Sequence, residues 1–528
     1  MKTRLRRASL TLVLGATLAA CAPPRGPTTI TYGLTLSPTG IDPHLNASAE
    51  LGIPLSSVYD TLVVQDPATG EILPHLAQSW DVSPDGRTYT FHLRDGVTFH
   101  DGTTFDAADV VANLEYTVDP DNHSQKAIFM LGPFEHAEAP DPRTVVIHLS
   151  EPFPPLLDSL AQVYLGIASP EALQTWGPAE YPFHQVGTGP YRFVEYVPND
   201  HLTLERNPDY AWPPPIAVNR TAAVERIVFR FYVDPATRAL ALENGEADIL
   251  GEIPPLDAAR LDALPGFTLL PVPIPGQPTQ FLFNVERAPT DDPNVRRALI
   301  QAVDRRAAVR TVFGEFSPVA EAPLSSNMWA FSDAAPFPAF DVRSAEAALE
   351  AAGWSTGDDG VRRKGSEVLS LRIVTPTWGS HPEVAQLLEA AWEAIGAQVE
   401  VEVAAGFGLL REARDRGEYH LIGLNFFGTD PDVLRPMFAS DRLYNWSNVS
   451  DPELDRLLER AATTAVSQDE RKRLYAEAAL RIRDQSLILP IRDYVNLVVV
   501  SDRVDGLHFT YQGWFPLLID LRPGSGSS

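Results

Sequence analysis

The chain has 528 residues, of which 44% are hydrophobic and 9% aromatic, so it is long enough to bury more than one sizeable core. Its formal net charge of -27 disfavours DNA, RNA and anionic lipid surfaces as partners. A single cysteine excludes disulfides within the chain and cysteine-cluster metal sites.

The first residues predict a secretory signal over residues 1–20. Basic side chains between positions 2 and 7 precede an apolar run from Leu10 to Leu18, which is too short to span a bilayer because a span takes about 20 residues. Cys21 follows in the sequence Leu-Ala-Ala-Cys, which resembles the lipobox of bacterial lipoproteins. The resemblance implies a lipid on Cys21 and a proline-rich tether over residues 21–29. The alternative is a cleavable signal with an incidental cysteine.

The first half of the chain is predicted to be rich in strands. Alternating apolar residues from Thr28 indicate a strand that leads into a loop at Ser37–Gly40. An acidic cap followed by apolar residues on one face predicts a helix over Asp106–Glu115. Further strands are predicted at Thr88–Leu93, Thr144–Leu149, Tyr191–Val197 and His201–Glu205.

The second half alternates strands with amphipathic helices, which predicts a layered α/β lobe. The proline-rich stretch Pro265–Pro278 is interpreted as a crossover or hinge between the halves. Ile488–Val500 returns to strand composition, so we expect the C-terminus to fold back onto the first lobe. The helices are predicted at Asn294–Phe313, Ser344–Ala352, Pro382–Ile395, Leu409–Arg416, Asp451–Ala465 and Asp469–Asp484, and the strands at Ser370–Thr375, Gln398–Val403 and His420–Leu424.

Sequence signatures of exported enzymes and local metal sites are missing. The chain has no G-x-S-x-G elbow and no H-E-x-x-H pair, and its 12 histidines include none spaced by four. We therefore expect no catalytic residue, no metal site and no cofactor beyond the N-terminal lipid, although a metal site distributed along the chain stays open. His100 is expected to make local hydrogen bonds. An exported hydrolase is the rival function from another class.

Several segments resemble one family of transport receptors. The most telling one is Thr-Phe-His-Leu-Arg-Asp-Gly-Val-Thr-Phe-His-Asp-Gly at residues 90–102, and the others lie at residues 105–111, 187–191, 204–210, 241–248, 295–299 and 430–432. These segments, and their order along the chain, are similar to the motifs of solute-binding protein family 5. This family comprises the oligopeptide, dipeptide and nickel receptors of ABC importers. The resemblance extends from about residue 30 to 510.

The family resemblance implies an α/β, two-lobe fold like that of periplasmic binding proteins (type II, cluster C-like), with an extra subdomain in the first lobe. The first lobe would hold residues 28–275 plus 489–523, and the second lobe residues 276–488. The implied protein is a monomeric extracytoplasmic receptor, in the periplasm or on the outer face of the cytoplasmic membrane. It would close on a solute and deliver it to an ABC permease and ATPase, touching the membrane only through its lipid.

The family resemblance does not identify the solute. A peptide or peptide-like solute is the main interpretation, and a sugar-like solute or a metal chelate is the alternative within the same fold. A sensory receptor that presents its solute to a signalling partner is a further possibility. In peptide-binding members of the family, an aspartate three positions before the D-P or E-P step pairs with the α-ammonium of the peptide. Counting back from Asp430 gives Phe427, so weak dipeptide binding is predicted unless a shifted loop lets Asp430 substitute.

The candidate ligand-binding residues fall in two groups. Ser37, Pro38 and Thr39 end the first predicted strand and are expected to offer backbone groups from the first lobe. From the second lobe the candidates are Trp378, Phe407, Gly423, Asn425, Phe427 and Asp430. Their aromatic members are typical of an apolar cleft, with Asn425 able to orient a polar group. The alternative for these aromatic residues is ordinary core packing.

Overall fold

The computed structural model describes residues 28–36, 41–46, 48–333, 336–463 and 467–524. Its strands are β1 Thr29–Leu34, β2 Val63–Gln65, β3 Ile72–Pro74, β4 Ala77–Val82, β5 Thr88–Leu93, β6 Phe134–Asp141, β7 Thr144–Leu149, β8 Tyr191–Val197, β9 His201–Arg206, β10 Arg226–Phe231, β11 Ile249–Leu250, β12 Phe267–Pro273, β13 Thr279–Phe283, β14 Ser355–Thr356, β15 Arg362–Lys364, β16 Glu367–Val368, β17 Ser370–Pro376, β18 Gln398–Ala404, β19 Leu421–Gly423, β20 Ile488–Arg492, β21 Val495–Ser501, β22 Val504–Asp505 and β23 Arg522–Pro523.

Its α-helices are α1 Gly52–Leu55, α2 Ala107–Val118, α3 Ala127–Met130, α4 Leu156–Ser159, α5 Pro170–Glu180, α6 Pro235–Glu243, α7 Pro255–Asp262, α8 Pro293–Gln301, α9 Arg305–Phe313, α10 Val342–Ala351, α11 His381–Glu393, α12 Phe407–Arg416, α13 Arg435–Phe438, α14 Pro452–Thr463 and α15 Gln468–Asp484. None of the helices in the described ranges is long and apolar enough to cross a membrane.

The first lobe is built on a seven-stranded sheet in the order β12-β21-β11-β1-β10-β9-β8. β1 runs parallel to β10 and β11, so the carboxyl ends of these three strands lie at one edge of the sheet. A separate four-stranded sheet, β4-β5-β7-β6, packs onto the same core and forms the extra subdomain that was predicted for this lobe.

The second lobe is built on a five-stranded sheet in the order β18-β17-β19-β13-β20. β17 is parallel to β18 and β19, whereas β13 and β20 run antiparallel to their neighbours. The apolar faces of the flanking helices form a second core that is distinct from the core of the first lobe. The two-lobe α/β architecture expected from the sequence is confirmed.

The chain crosses between the two sheets twice. It leaves the first sheet after Pro273 and enters the second at Thr279, within the proline-rich stretch interpreted as a crossover. It returns between Arg492 and Val495. Ile488–Arg492 pairs with β13 and belongs to the second sheet, whereas the sequence boundary assigned residues from 489 onward to the first lobe. The apolar run continues through both strands, so composition does not reveal where the sheet changes.

The predicted helix Asn294–Phe313 is two helices in the structure, α8 and α9. The break falls at Asp304, whose carboxylate accepts a hydrogen bond from the Ala307 amide and caps α9. Aspartate favours such an N-terminal cap over a helix interior. The single-helix prediction was wrong because apolar spacing continues across the break.

The Phe-His-Asp-Gly segment holds the Gly187–Pro190 turn in place. His100 Nε2 lies 2.9 Å from the Gly189 carbonyl oxygen, and His100 Nδ1 accepts from the Gly187 amide at 3.3 Å. Burial lowers the pKa of His100 to about 4, so the ring is neutral at neutral pH. The expectation that His100 makes local hydrogen bonds is confirmed.

Candidate functional site

The candidate site is the cleft where the two sheets meet. Ligands of open α/β sheets bind beyond the carboxyl ends of parallel strands. In the second lobe Trp378 follows β17, Phe407 follows β18 and Phe427 follows β19, and each of these side chains is 39–40% exposed. Residues of a packed core would be covered, so the alternative of ordinary core packing does not describe these three.

Phe427 belongs to an aromatic cluster that both lobes build. Its ring centroid lies 4.8 Å from that of Tyr494 and 5.8 Å from that of Trp514, and Tyr494 and Trp514 are 5.8 Å apart. Tyr494 is in the returning crossover, and Trp514 packs on the core of the first lobe. We call Phe427, Tyr494 and Trp514 the crossover aromatic cluster. Sequence reasoning identified only its first member.

Phe407 belongs to a second group of rings within the second lobe. It stacks on Trp446 at 5.9 Å and lies 6.3 Å from Tyr444, which in turn contacts Phe426 edge-on at 4.8 Å. Trp378 joins neither group among the described residues, and its carbonyl oxygen is 2.9 Å from His381 Nδ1. The structure therefore links Phe407 and Phe427 to ring clusters and places Trp378 apart from them.

The remaining candidates differ in their surroundings. Asn425 is partly buried, and its side chain has no hydrogen-bond partner within the described chain. Gly423 is buried inside β19, where an added Cβ would lie 2.8 Å from His381 and 3.0 Å from Pro376. It thus serves close packing rather than a cleft wall. Ser37, Pro38 and Thr39 lie outside the described residues, as does Cys21.

Asp430 is already paired. Arg471 Nη2 and Nη1 donate to its two carboxylate oxygens at 2.7 Å and 2.8 Å, in a buried bidentate pair. The amide of Asp432 also donates to this carboxylate at 2.9 Å. Asp430 is therefore not placed as a substitute partner for the ammonium group of a peptide.

Asp158 meets this pair from the first lobe. Its carboxylate accepts from Gln65 Nε2 at 2.9 Å and from Gln162 Nε2 at 3.2 Å, while Gln162 Nε2 also lies 3.4 Å from Thr429 Oγ1 of the second lobe. Burial, reinforced by the negative charge of Asp430, raises the pKa of Asp158 to about 7. Sequence reasoning did not identify this contact, because its members are far apart in the chain.

A further contact between the lobes involves Tyr511. Its hydroxyl donates to the Asn327 carbonyl at 2.9 Å and accepts from the Trp329 amide at 2.9 Å. Together with the contact between Gln162 and Thr429, this joins the two lobes across the cleft. An open pocket of about 380 Å³ lies beside these contacts, with walls from both lobes that include Tyr89, Asp158 and Trp329.

Charged groups stand behind the crossover aromatic cluster. The Tyr494 hydroxyl donates to a Glu252 carboxylate oxygen at 2.6 Å, and Glu252 follows β11 at the edge of the first sheet. Glu50 accepts from both the amide and the hydroxyl of Thr35, just after β1, and burial raises its pKa to about 7. No group of three metal-ligating side chains occurs in the described ranges.

Comparison with known proteins gives a consistent result. A family model described as bacterial extracellular solute-binding proteins, family 5 (middle part), matches residues 71–448. The chain is 28% identical to heme-binding protein A of Haemophilus influenzae, over 98% of this chain and 99% of that protein. It is 31% identical to the glutathione-binding protein GsiB of Escherichia coli, over 79% of each.

Solved structures show the same architecture. The crystal structure of NikA from Brucella suis in complex with Fe(III)-EDTA has a TM-score of 0.83 and 25% identity, covering 94% of this chain and 99% of that one. A nickel ABC transporter protein from Bacillus halodurans has a TM-score of 0.77 and 26% identity over the same shares of the two chains.

Proposed function

Because this chain belongs to the bacterial extracellular solute-binding proteins of family 5, we propose that it is the receptor of an ABC importer for peptides or peptide-like solutes. The receptor captures its solute between the lobes and passes it to a permease without chemical turnover. A solute that touches both lobes only when they are closed favours closure. This difference in affinity between the open and closed states accounts for the function of the receptor.

The crossover aromatic cluster carries this proposal. It brings together one ring from each lobe and one from the crossover. Phe427 remains 40% exposed although the lobes contact each other here. Rings of this kind form apolar walls that fix a solute by contact area, while a few polar groups set its orientation. Asn425 supplies such a group from the second lobe.

A peptide-like solute agrees with the relatives and with the cleft together. Two relatives are a glutathione-binding protein and a dipeptide-binding protein of Escherichia coli. Phe427, however, takes the place of the aspartate that pairs with a peptide ammonium, and Asp430 is engaged by Arg471. We therefore propose a solute held by its backbone and apolar groups rather than through a free α-ammonium.

We further propose that the mature protein is a lipid-anchored monomer. The sequence Leu-Ala-Ala-Cys supports acylation of Cys21, and the proline-rich tether would leave the lobes free to reach the permease. A Cys21→Ser variant that still fractionates with the membrane would contradict the anchor.

The test is calorimetric titration with reduced glutathione and with N-blocked peptides of two to five residues. We expect at least one of them to bind, and Trp514→Ala to weaken that binding about tenfold, because a cleft ring contributes roughly 1–2 kcal/mol. Trp176→Ala is the matched control, since Trp176 is 41% exposed on the first lobe and stacks only on His184 among the described rings. No binding by any member of the panel, or equal effects of the two substitutions, would contradict the proposal.

A further inference from the structure

Arg492 is a buried cation that lacks a countercharge. It is the last residue of β20 and is 6% exposed, and no carboxylate lies within 4.0 Å of its guanidinium in the described chain. Its one hydrogen bond runs from Nη1 to the Ser317 hydroxyl at 2.8 Å, and its Nε has no partner among the described residues. Leaving a buried guanidinium unpaired is costly, so its retention needs a reason.

The other buried arginines of the described chain show how unusual this is. Each of them donates to at least two backbone carbonyl or carboxylate oxygens. They are Arg238, Arg296, Arg305, Arg362 and Arg471. Those side chains are satisfied by the fold itself. Arg492 alone among the six buried arginines of the described ranges keeps donors that no protein acceptor uses.

The position of Arg492 connects it to the cleft. Its guanidinium carbon lies 4.4 Å from the centre of the Tyr494 ring and 3.8 Å from that of Phe313. Tyr494 contacts Phe427 in the crossover aromatic cluster, so one ring separates the cation from the cleft surface. Opposite Arg492 in the β13–β20 ladder, the fully buried Thr279 hydroxyl also has no partner among the described residues.

Glu252 and Asp493 act on this cation through their charge but form no direct ion pair with it. Glu252 is engaged by the Tyr494 hydroxyl at 2.6 Å, and Asp493 accepts from the Ser326 amide at 3.0 Å. Neither forms an ion pair with Arg492. The Nε donor of the guanidinium is therefore free for an oxyanion acceptor.

We propose that Arg492 is the anion-recognition residue of the cleft and receives a carboxylate or other oxyanion group of the captured solute, with the Thr279 hydroxyl beside it. This inference rests on the proposed solute-receptor function and narrows it. The solute combines an anionic group, which reaches Arg492, with an apolar or aromatic part that packs on Phe427, Tyr494 and Trp514. Arg492 is 6% exposed and the Tyr494 ring lies over its guanidinium, so the anion reaches it when this ring shifts aside.

The test compares three aromatic probes on the mature protein by calorimetry at low salt. Hippurate has a ring and a carboxylate, hippuramide is its neutral amide, and phenyl phosphate carries the other oxyanion. We expect hippurate or phenyl phosphate to bind at least about tenfold more tightly than hippuramide, because hydrogen bonds to a charged group are stronger than those to a neutral group. The preferred anion distinguishes a carboxylate solute from a phosphorylated one.

Variants assign the preference to one residue. Arg492→Gln should abolish the preference for the anion and leave the weak binding of hippuramide unchanged, whereas Arg456→Gln, at an exposed arginine on α14, should change neither. If Arg492→Gln does not fold, Arg492→Lys keeps the charge but loses the fork, and we expect it to reduce the preference several-fold.

Three results would overturn the inference: hippuramide binding as well as both anions, no binding of either anion, or a preference that survives Arg492→Gln. A receptor that captures peptides in the earlier titration but shows no anion preference would keep its proposed function and lose only this assignment.

Discussion

By its spacing from the Asp430-Pro431 step, Phe427 is predicted to stand where peptide-binding members of the family place a carboxylate. In this structure the side chain is part of an aromatic cluster with Tyr494 and Trp514, and the nearest sequence alternative, Asp430, is held by Arg471. An ammonium group brought into this part of the cleft would lose water without gaining a countercharge, which is costly.

We therefore expect the wild-type protein to bind simple dipeptides such as Ala-Phe more weakly than in the micromolar range. Phe427→Asp should strengthen that binding about tenfold, because it restores a charged partner for the ammonium. Phe427→Asn is the control that has nearly the same shape as the aspartate but no charge. Calorimetry that shows micromolar dipeptide affinity in the wild type, or equal affinities for the two variants, would contradict this account of the site.

Asp158 gives the contact between the lobes a pH dependence of known sign. Its neighbours are Gln65, Gln162, Thr429, Asp430 and Arg471, and burial raises its pKa to about 7 in the folded protein. A carboxyl with a raised pKa contributes stability that is complete below its unfolded pKa of about 4 and is lost as pH rises toward 7.

Asp158→Asn should remove that dependence. Relative to the wild type, we expect the free energy of unfolding of Asp158→Asn to increase by about 2 kcal/mol between pH 5 and pH 8, since the neutral amide avoids the cost of burying a charge. Thermal and urea unfolding at several pH values measure this difference. A difference between the two proteins that stays constant with pH would show that Asp158 does not titrate as described.

At the scale of elements, local pattern predicted most helices and strands to within a few residues. The helix α15, predicted from Asp469, begins at Gln468, and β17 and β18 begin at the predicted residues. Amphipathic spacing sets these bounds locally, and the cap at Asp304 was missed because apolar spacing runs through it.

Contacts between distant segments were beyond sequence reasoning. Phe427 was identified from its spacing to the Asp430-Pro431 step in the family pattern, and Asn425 as a polar group beside the aromatic candidates. Tyr494 and Trp514, which complete the ring cluster, come from other segments that only the tertiary fold brings close. One signal was present in the sequence: Arg492 and Asp493 interrupt an otherwise apolar run. It marks the returning crossover.

The Gly187–Pro190 turn packs so closely on the backbone at Val58 that it has no room for a side chain at Gly187. A Cβ on Gly187 would lie 2.0 Å from the Val58 carbonyl oxygen, so Gly187→Ala must displace backbone, and we expect a loss of about 3 kcal/mol in unfolding free energy. Gly408→Ala is the matched control, because no atom lies within 4 Å of its added Cβ and alanine favours the helix α12. Urea unfolding compares the two, and similar midpoints for Gly187→Ala and the wild type would contradict the packing described here.

At the scale of the molecule, the two lobes have separate cores and are joined by two crossovers, which suits them to move as bodies around a shared cleft. The described contacts across the cleft are hydrogen bonds of Tyr511 and Gln162 and the rings of the crossover aromatic cluster. A solute bound between the lobes adds further contacts across the cleft, which the protein alone does not make. These contacts favour the closed state of the lobes.

The distance between the lobes tests this central claim most directly. Cys21 is the only cysteine, so the Cys21→Ser variant has no native thiol. Spin labels can then be attached at two introduced cysteines, Ala68→Cys on the first lobe and Asp469→Cys on the second. Both positions are exposed. Pulsed electron paramagnetic resonance would be recorded with and without reduced glutathione, N-blocked peptides and hippurate. We expect at least one of these solutes to shorten and narrow the distance distribution. A distribution that stays unchanged with every one of them would contradict capture by lobe closure.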